Sequence, residues 1–285
     1  MVRYVAITHC SGDYVGIWLV ATKPNSRPFK VAMGSDPSWS PDGKYLAFTR
    51  IQGGNLSQPE WTHDVCIFDL TTNHMRVLRK QAREPFWSPK GTKIALIDES
   101  SNSIRRDFHC PILILDAQSG KVIFQTGLIR NPIEPILAPN ERYLAIHPHL
   151  SRPLSGHIII DLKTGKIIEI EPNEGYARGP LQAWSKDGKW LLWKWRVPDP
   201  ENDGAWLWEE IWLVSLDAKV KRRIGRGTKA VFSPDGKHVL WLQPRKAIYD
   251  YKSNDYDLMW TPLQGRLSER LIARVQDFTL VGWKR

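Results

Sequence analysis

A twelve-residue pattern recurs five times along this chain, and it limits the fold more than any other feature. The copies are Pro37–Phe48, Pro85–Leu96, Pro135–Ile146, Gln182–Trp193 and Ala230–Trp241. Successive copies are separated by about 48 residues, a period that is typical of repeat architectures. The chain is therefore expected to consist of similar supersecondary units rather than two unrelated domains.

Each copy predicts a strand, a tight turn and a second strand. In the first copy the turn is Pro41-Asp-Gly43, in which proline presets φ, aspartate bonds its own backbone and glycine supplies positive φ. The triplet Leu46-Ala-Phe48 that follows is apolar without alternation, as in a strand that is buried on both faces. A further apolar run, such as Val65–Leu70, and a weaker edge strand complete a unit of four strands. That arrangement is the blade of a β-propeller.

The two ends of the chain predict how the propeller closes. Val281–Trp283 aligns with Pro37–Trp39, and Arg3–Ile7 aligns with Lys44–Phe48. Six repeats of about 48 residues fit a chain of 285. We therefore expect one all-β domain over residues 1–285, a six-bladed β-propeller with four antiparallel strands per blade. Its last blade takes the inner strand from the C-terminus and three strands from the N-terminus. The expected blades are residues 36–82, 83–132, 133–178, 179–227, 228–275, and 276–285 with 1–35.

The repeated motif resembles the TolB-like propeller repeat, a WD40-like unit. The resemblance is strong at Trp39–Phe48 and Phe232–Trp241, and weakest at Leu137–Ile146, where Ala138, Asn140 and Glu141 depart from the pattern. The resemblance implies that these motif residues specify a blade and carry no chemistry. It also implies a scaffold for protein or peptide binding, which in some members is attached to a peptidase.

Composition favours a folded protein in a reducing compartment. Hydrophobic residues make up 42% of the chain, and no apolar run approaches the roughly 20 residues of a membrane helix. The first residues, Met1–Thr8, lack the features of a signal peptide. The three cysteines, Cys10, Cys66 and Cys110, form no CxxC pair. These features predict a cytoplasmic protein without a membrane span. The alternative is a periplasmic or secreted protein from which a signal peptide has been removed.

The sequence carries none of the common catalytic signatures. It has no GxSxG, HExxH, Walker A or CxxC motif, and Gly225-Arg-Gly227 lacks the third glycine of a dinucleotide-binding loop. An active site built from distant loops escapes such a search. The expectation is nevertheless that the protein is not an enzyme and that it needs no cofactor.

Three acids occupy one position of the repeat, immediately before the innermost strand: Asp36, Glu84 and Glu134. The same position holds Leu181, Lys229 and Leu280 in the other repeats. Such positions are expected at the mouth of the central channel, which makes the acids and Lys229 candidate channel-mouth residues. Converging carboxylates would suit a divalent cation or a peptide amine. The alternative is that each acid, placed before a proline, stabilises its own loop through backbone hydrogen bonds.

A group of histidines offers a weaker metal site. His147 and His149 alternate at the end of one predicted strand, and His157 opens the strand that pairs with it. A hairpin would bring two of them within reach of zinc, but no cysteine or acid with suitable spacing completes the set. The alternative is that all three are partly exposed loop residues.

The loops between the second and third strands are longer than ordinary hairpin turns. They are predicted over Gln52–His63, Glu99–Cys110, Arg196–Glu209 and Pro244–Asp255. Their candidate partner-binding residues are Trp61, Arg105, Arg106, Trp206, Trp208, Arg245, Tyr249 and Tyr251. Tryptophan, tyrosine and arginine dominate binding hot spots, so this face is the expected interaction surface. The alternative is that the aromatic rings fold back over the blades.

The net charge of +10 permits an acidic partner or a nucleic acid. Lys219–Lys229 is the most basic run, and it would bind phosphates if it were exposed along a groove. Its alternation of apolar and charged residues also fits an outer edge strand, where charge discourages edge pairing. We favour the edge strand.

The sequence therefore predicts a non-catalytic scaffold that binds a protein or peptide partner through the loop face and the channel mouth. One alternative is a propeller enzyme, or a protein that binds a carbohydrate or small ligand through the channel carboxylates. The second alternative is a nucleic-acid-binding protein.

Overall fold

The computed structural model describes residues 4–11, 14–21, 27–52, 62–100, 109–148, 157–202, 205–233, 235–245, 255–263 and 270–276. Every regular element within these ranges is a β-strand, and all strand pairs are antiparallel. No helix in these ranges is long and apolar enough to cross a membrane. The chain divides into two compact units, Met1–Leu154 and Ser155–Arg285.

The first unit contains fourteen of the described strands. They are β1 (Tyr4–Ser11), β2 (Tyr14–Ala21), β3 (Phe29–Trp39), β4 (Tyr45–Gln52), β5 (Thr62–Asp69), β6 (His74–Lys80), β7 (Ala82–Trp87), β8 (Lys93–Asp98), β9 (His109–Cys110), β10 (Ile112–Asp116), β11 (Val122–Gln125), β12 (Ile129–Arg130), β13 (Pro132–Leu137) and β14 (Tyr143–Pro148). The order β7-β8-β10-β11 gives a complete four-stranded sheet, β9 pairs with β12, and β13 pairs with β14.

Strand β3 belongs to two sheets in succession. Its first half pairs with β2 up to Met33, and its second half pairs with β4 from Gly34 onward. The sheet β3-β4-β5-β6 is thus a four-stranded unit, as the repeat predicts. The sheet of β1, β2 and the first half of β3 has only three strands among the described residues, and β1 lies at its edge.

The second unit contains ten described strands. They are β15 (His157–Asp161), β16 (Ile167–Ile170), β17 (Ala177–Trp184), β18 (Trp190–Pro198), β19 (Trp206–Ser215), β20 (Lys221–Arg226), β21 (Lys229–Phe232), β22 (His238–Pro244), β23 (Asp255–Pro262) and β24 (Arg270–Gln276). The orders β17-β18-β19-β20 and β21-β22-β23-β24 give two more four-stranded sheets, and β15 pairs with β16. The basic segment Lys221–Arg226 is an outer edge strand, as favoured from its alternation.

The second strand of each repeat is buried on both faces, as its unbroken apolar run predicts. Leu46 and Phe48 pack with β2 and β5, whereas Ala47 between them packs with Ile94 of the next sheet. All four side chains are inaccessible to solvent. Since successive residues of a strand point to opposite faces, this burial requires a sheet on each side.

The turns that follow the first strands repeat one hydrogen-bond pattern. Ser40 Oγ donates to Asp42 Oδ1 over 2.7 Å and accepts the Tyr45 N–H over 2.9 Å. The same bonds recur at Ser185 with Asp187 and at Ser233 with Asp235. The hydrogen bond from Ser40 lowers the pKa of Asp42 below its ordinary value. The serine and aspartate of the motif therefore stabilise the turn through hydrogen bonds.

The copy of the motif that departs most from the pattern, Leu137–Ile146, still forms the same turn. Glu141 stands where other copies have glycine, yet it adopts the left-handed φ of 56°. Its carboxylate forms an ion pair of 3.0 Å with Lys93 of the preceding sheet. Local strain at a non-glycine residue persists when surrounding contacts fix it. The divergence in sequence at this copy therefore leaves the turn unchanged.

Candidate partner-binding site

We define the entry end of a sheet as the end where its first strand begins and its second strand ends. In the first unit, the three acids predicted at this position lie within the first strands. Asp36, Glu84 and Glu134 have φ of 54°, 51° and 51°. Each sits at a β-bulge in its strand. The register of β3 against β4 shifts between Ser35 and Ser38, and β7 and β13 show the same shift against their neighbours at the matching residues. Left-handed φ at a non-glycine residue costs of the order of 1–3 kcal/mol, so three such residues in equivalent places require specific compensating contacts.

Those contacts link each acid to the next one. Thr49 Oγ1 donates to Asp36 Oδ2 over 2.9 Å and accepts the backbone N–H of Glu84, also over 2.9 Å. Glu84 Oε2 in turn accepts the backbone N–H of Glu134 over 2.8 Å. The acids therefore form a hydrogen-bonded row across three successive sheets. The bond between Thr49 and Asp36 lies within one sheet, whereas the bonds from the backbone N–H groups of Glu84 and Glu134 join that row to the next sheet each time.

One arginine neutralises part of this row. Arg83 forms an ion pair with the neighbouring Glu84, and its Nε lies 2.8 Å from Glu99 Oε1. His63 Nδ1 lies 2.9 Å from the other oxygen of Glu99. Burial raises the pKa of Glu84, and the charges of Asp36 and Glu134 add to this effect against the opposing charge of Arg83.

Glu99 responds in the opposite direction. Burial alone raises its pKa, but the hydrogen bond from His63 and the charges of His63 and Arg83 outweigh burial, so the pKa lies below its ordinary value. Arg83 therefore contacts one carboxylate that is hard to ionise, Glu84 in the row, and one that ionises readily, Glu99 beside the row. Across the described ranges, no three His, Cys, Asp or Glu side chains are grouped closely enough to hold a metal ion.

In the second unit, the entry end of sheet β17–β20 carries the two predicted tryptophans. Residues 196–209 were expected to form a loop, and this expectation is wrong: β18 continues to Pro198 and β19 begins at Trp206. Val197 pairs with Trp208, and Pro198 pairs with Trp206 across a bulge. Cross-strand contacts between large side chains, such as Val197 opposite Trp208, stabilise the hairpin beyond the predicted length. The tryptophans are consequently held on a strand.

A guanidinium group lies against each of these tryptophan rings. The Arg196 Cζ is 4.1 Å from the ring centroid of Trp206, and the Arg226 Cζ is 5.7 Å from that of Trp208. Trp208 also donates its Nε1–H to Glu210 Oε1 over 3.1 Å. Both side chains remain partly exposed. The result is a fixed aromatic surface that still contacts solvent.

An aromatic stack supports this surface from within. The rings of Trp195 and Trp212 are stacked with centroids 4.7 Å apart, and Tyr176 meets Trp212 edge to face at 5.3 Å. The Tyr176 hydroxyl donates to Glu210 Oε2 over 2.9 Å, and the Nε of Arg223 lies 3.0 Å from Glu210 Oε1. Sequence reasoning missed these residues, and only the cross-strand register reveals them.

Some of the remaining candidate residues lie within the described ranges, and others lie outside them. Arg245 forms an ion pair of 2.7 Å with Asp257. Lys229 is the exposed first residue of β21. His147 lies on β14 opposite Ile133, and His157 begins β15, but its side chain is not among those described. The candidates outside the described residues are Trp61, Arg105, Arg106, His149, Tyr249 and Tyr251.

Comparison with known proteins supports the fold. No protein-family model matches the chain. No curated protein matches it either. Among solved structures, TolB from Acinetobacter baumannii matches 95% of this chain at 17% identity with a TM-score of 0.56. The chain spans 63% of that TolB's length.

Two enzymes share the same architecture. An oligogalacturonate lyase in complex with manganese matches 87% of this chain and 68% of its own at 15% identity, with a TM-score of 0.57. Prolyl oligopeptidase B from Galerina marginata matches 95% of this chain and 40% of its own at 13% identity, with a TM-score of 0.61. The chain therefore has a TolB-like β-propeller fold. This fold is used both for binding and for catalysis, so it does not decide between them.

Proposed function

We propose that this chain is a non-catalytic scaffold that binds a protein or peptide partner through the entry ends of its sheets. The observation that carries the proposal is the pair of partly exposed tryptophans, Trp206 and Trp208, each with a guanidinium group against its ring. Rings held in place lose little conformational entropy when a partner covers them. Tryptophan and arginine also contribute disproportionately to binding hot spots.

The acid row supports a structural role for its carboxylates. Asp36 accepts hydrogen bonds from Ser35 and Thr49, and Glu84 is engaged by Arg83 and by the Glu134 N–H. A catalytic carboxylate needs an oxygen within reach of its substrate. Carboxylates that already accept hydrogen bonds from neighbouring strand residues are better suited to hold the strands in place, which would leave recognition to the aromatic residues.

The proposal includes a closed ring of six blades, with the boundaries expected from the repeat. The three-stranded sheet of β1, β2 and the first half of β3 supports it, because β1 has a free edge within the described ranges. A strand from residues 278–285 would complete that sheet, and closure would remove an exposed sheet edge. All entry ends, with the loops that carry Trp61, Arg105, Tyr249 and Tyr251, would then share one face.

A reducing, cytoplasmic setting is part of the proposal. Cys66 and Cys110 are buried and form no disulfide. Burial raises the pKa of each thiol to about 11, so neither is readily ionised for disulfide exchange. These two cysteines therefore suit a compartment in which thiols stay reduced.

A capture experiment tests the proposed surface. The purified chain and the double variant Trp206→Ala/Trp208→Ala are each used to capture partners from lysate of the source cells. We expect the variant to lose the partner by tenfold or more, because two hot-spot rings are removed. The matched control is Ile123→Ala/Leu128→Ala, which removes two side chains that are 53% and 65% exposed, one on β11 and one in the segment that follows it. Equal recovery with the tryptophan variant and the wild type would contradict the proposal.

A further inference from the structure

Two cations flank one carboxylate at the entry end of sheet β17–β20, and a third cation lies near them. Lys194 Nζ lies 2.9 Å from Glu209 Oε2, and Arg196 Nε lies 3.4 Å from Glu209 Oε1. The side chains of Lys194, Glu209 and Arg196 are 13%, 11% and 29% exposed. Lys229, at the start of β21, lies close enough for its charge to act on Lys194. The group therefore carries two more positive charges than negative ones.

A close approach of two strands fixes the backbone at Lys194. Gly179 lies in the first strand beside Lys194, and a Cβ at Gly179 would be only 2.3 Å from the Lys194 carbonyl oxygen. The same close approach occurs in the first unit, where a Cβ at Gly34 would be 2.1 Å from the carbonyl oxygen of Thr49. Lys194 thus occupies the repeat position of Thr49, and Lys229 occupies that of Glu84. Lys229 therefore places an ammonium group where the first unit holds the Glu84 carboxylate, and Lys194 stands where the Thr49 hydroxyl links Asp36 to Glu84.

The single negative charge of Glu209 does not balance the positive charges around it. Burial lowers the pKa of Lys194, and the charges of Arg196 and Lys229 lower it further, while Glu209 acts in the opposite direction. No acidic residue in the described ranges forms an ion pair with Lys229. Like charges held together at a partly buried site favour the entry of an anion, since its charge is screened less there than on an open surface.

We propose that Lys194, Arg196 and Lys229 bind a carboxylate group of an acidic peptide, with Trp206 as the adjoining apolar wall. This assignment rests on the proposed function and specifies the partner as acidic. Arginine presents a planar fork that matches a carboxylate, and lysine adds a point charge. A nucleic acid needs a track of exposed cations along its backbone, whereas two of these three cations are largely buried. A single side chain or chain terminus can reach them.

Fluorescence anisotropy with labelled hexaglutamate tests the assignment directly. The peptide is used with a free C-terminal carboxylate and with a C-terminal amide, at low and at physiological salt. We expect Lys229→Ala to weaken binding about tenfold, the equivalent of one charge-assisted hydrogen bond. Lys229→Arg should retain binding. Weaker binding of the amide would identify the terminal carboxylate as the ligand, and equal binding would identify a glutamate side chain; both outcomes support the site.

The control separates a site from general attraction to a basic protein. Lys219→Ala removes the same charge at a side chain that is 82% exposed, on the turn between β19 and β20. Equal weakening by Lys219→Ala and Lys229→Ala, or no binding of hexaglutamate by the wild type, would overturn the inference. So would a single-stranded oligonucleotide or digalacturonate that binds more tightly than the peptide and depends on Lys229. If partner capture still required Trp206 and Trp208, the proposed function would stand and only the acidic character of the partner would be wrong.

Discussion

Removal of residues 278–285 is expected to abolish the cooperative unfolding transition of the whole chain. In the proposed closed ring these residues supply the inner strand that pairs with β1, and Phe278, Leu280, Val281 and Trp283 would be its apolar side chains. Burying each contributes about 1.5–3 kcal/mol, so their combined loss is comparable to the stability of an ordinary protein, about 5–15 kcal/mol. Thermal denaturation followed by circular dichroism measures the effect.

A shorter truncation serves as the control for this prediction. Removing only Lys284 and Arg285 takes away two charged residues that align with the turn after the strand, and it should leave the melting temperature within a few degrees. If the longer truncation also melted at the wild-type temperature, the six-bladed closure would be wrong. The three-stranded sheet at the N-terminus would then be complete as it stands.

Trp241→Ala is expected to lower the free energy of unfolding by about 3–5 kcal/mol. Trp241 is inaccessible to solvent, donates its Nε1–H to the Arg226 carbonyl over 3.1 Å, and packs with Ile211 and Leu213 of the adjoining sheet. Its ring lies so close to Gly227 that a Cβ there would be 2.6 Å from Trp241 Cδ1. Such tight packing cannot close over the space that the ring leaves.

Chemical denaturation of two variants measures this effect. The control is Leu128→Ala, which removes a side chain that is 65% exposed and should change stability by less than about 0.5 kcal/mol. A loss below about 1 kcal/mol for Trp241→Ala would show that the two sheets do not pack through this ring.

The repeat in the sequence was sufficient to predict the strands and the turns. The unbroken apolar triplets predicted strands that are buried on both faces, and Leu46, Ala47 and Phe48 are fully buried. The basic alternation of Lys221–Arg226 predicted an outer strand, which is its place in the sheet. These features depend on local patterns of side-chain polarity, so sequence alone carries them.

Cross-strand features were not predictable in the same way. The bulges at Asp36, Glu84 and Glu134 arise where a first strand shifts register against its neighbour, and no local pattern specifies that shift. Lys194 and Arg196 meet Glu209 because two strands pair beyond the expected end of the hairpin. The Arg196 guanidinium lies against Trp206 through the same pairing, and Arg226 reaches Trp208 because β20 pairs with β19. The candidate site therefore emerges mainly from strand register.

The proposed binding surface is the entry end of the sheets rather than the opposite turn end. A photo-cross-linking amino acid placed at exposed Glu201, in the turn between β18 and β19, or, in a separate variant, at exposed Lys237 on the turn between β21 and β22 tests this directly. After irradiation in lysate of the source cells, we predict a discrete adduct from position 201 and none from position 237. An adduct from position 237 alone would contradict the account and assign the partner to the turn end.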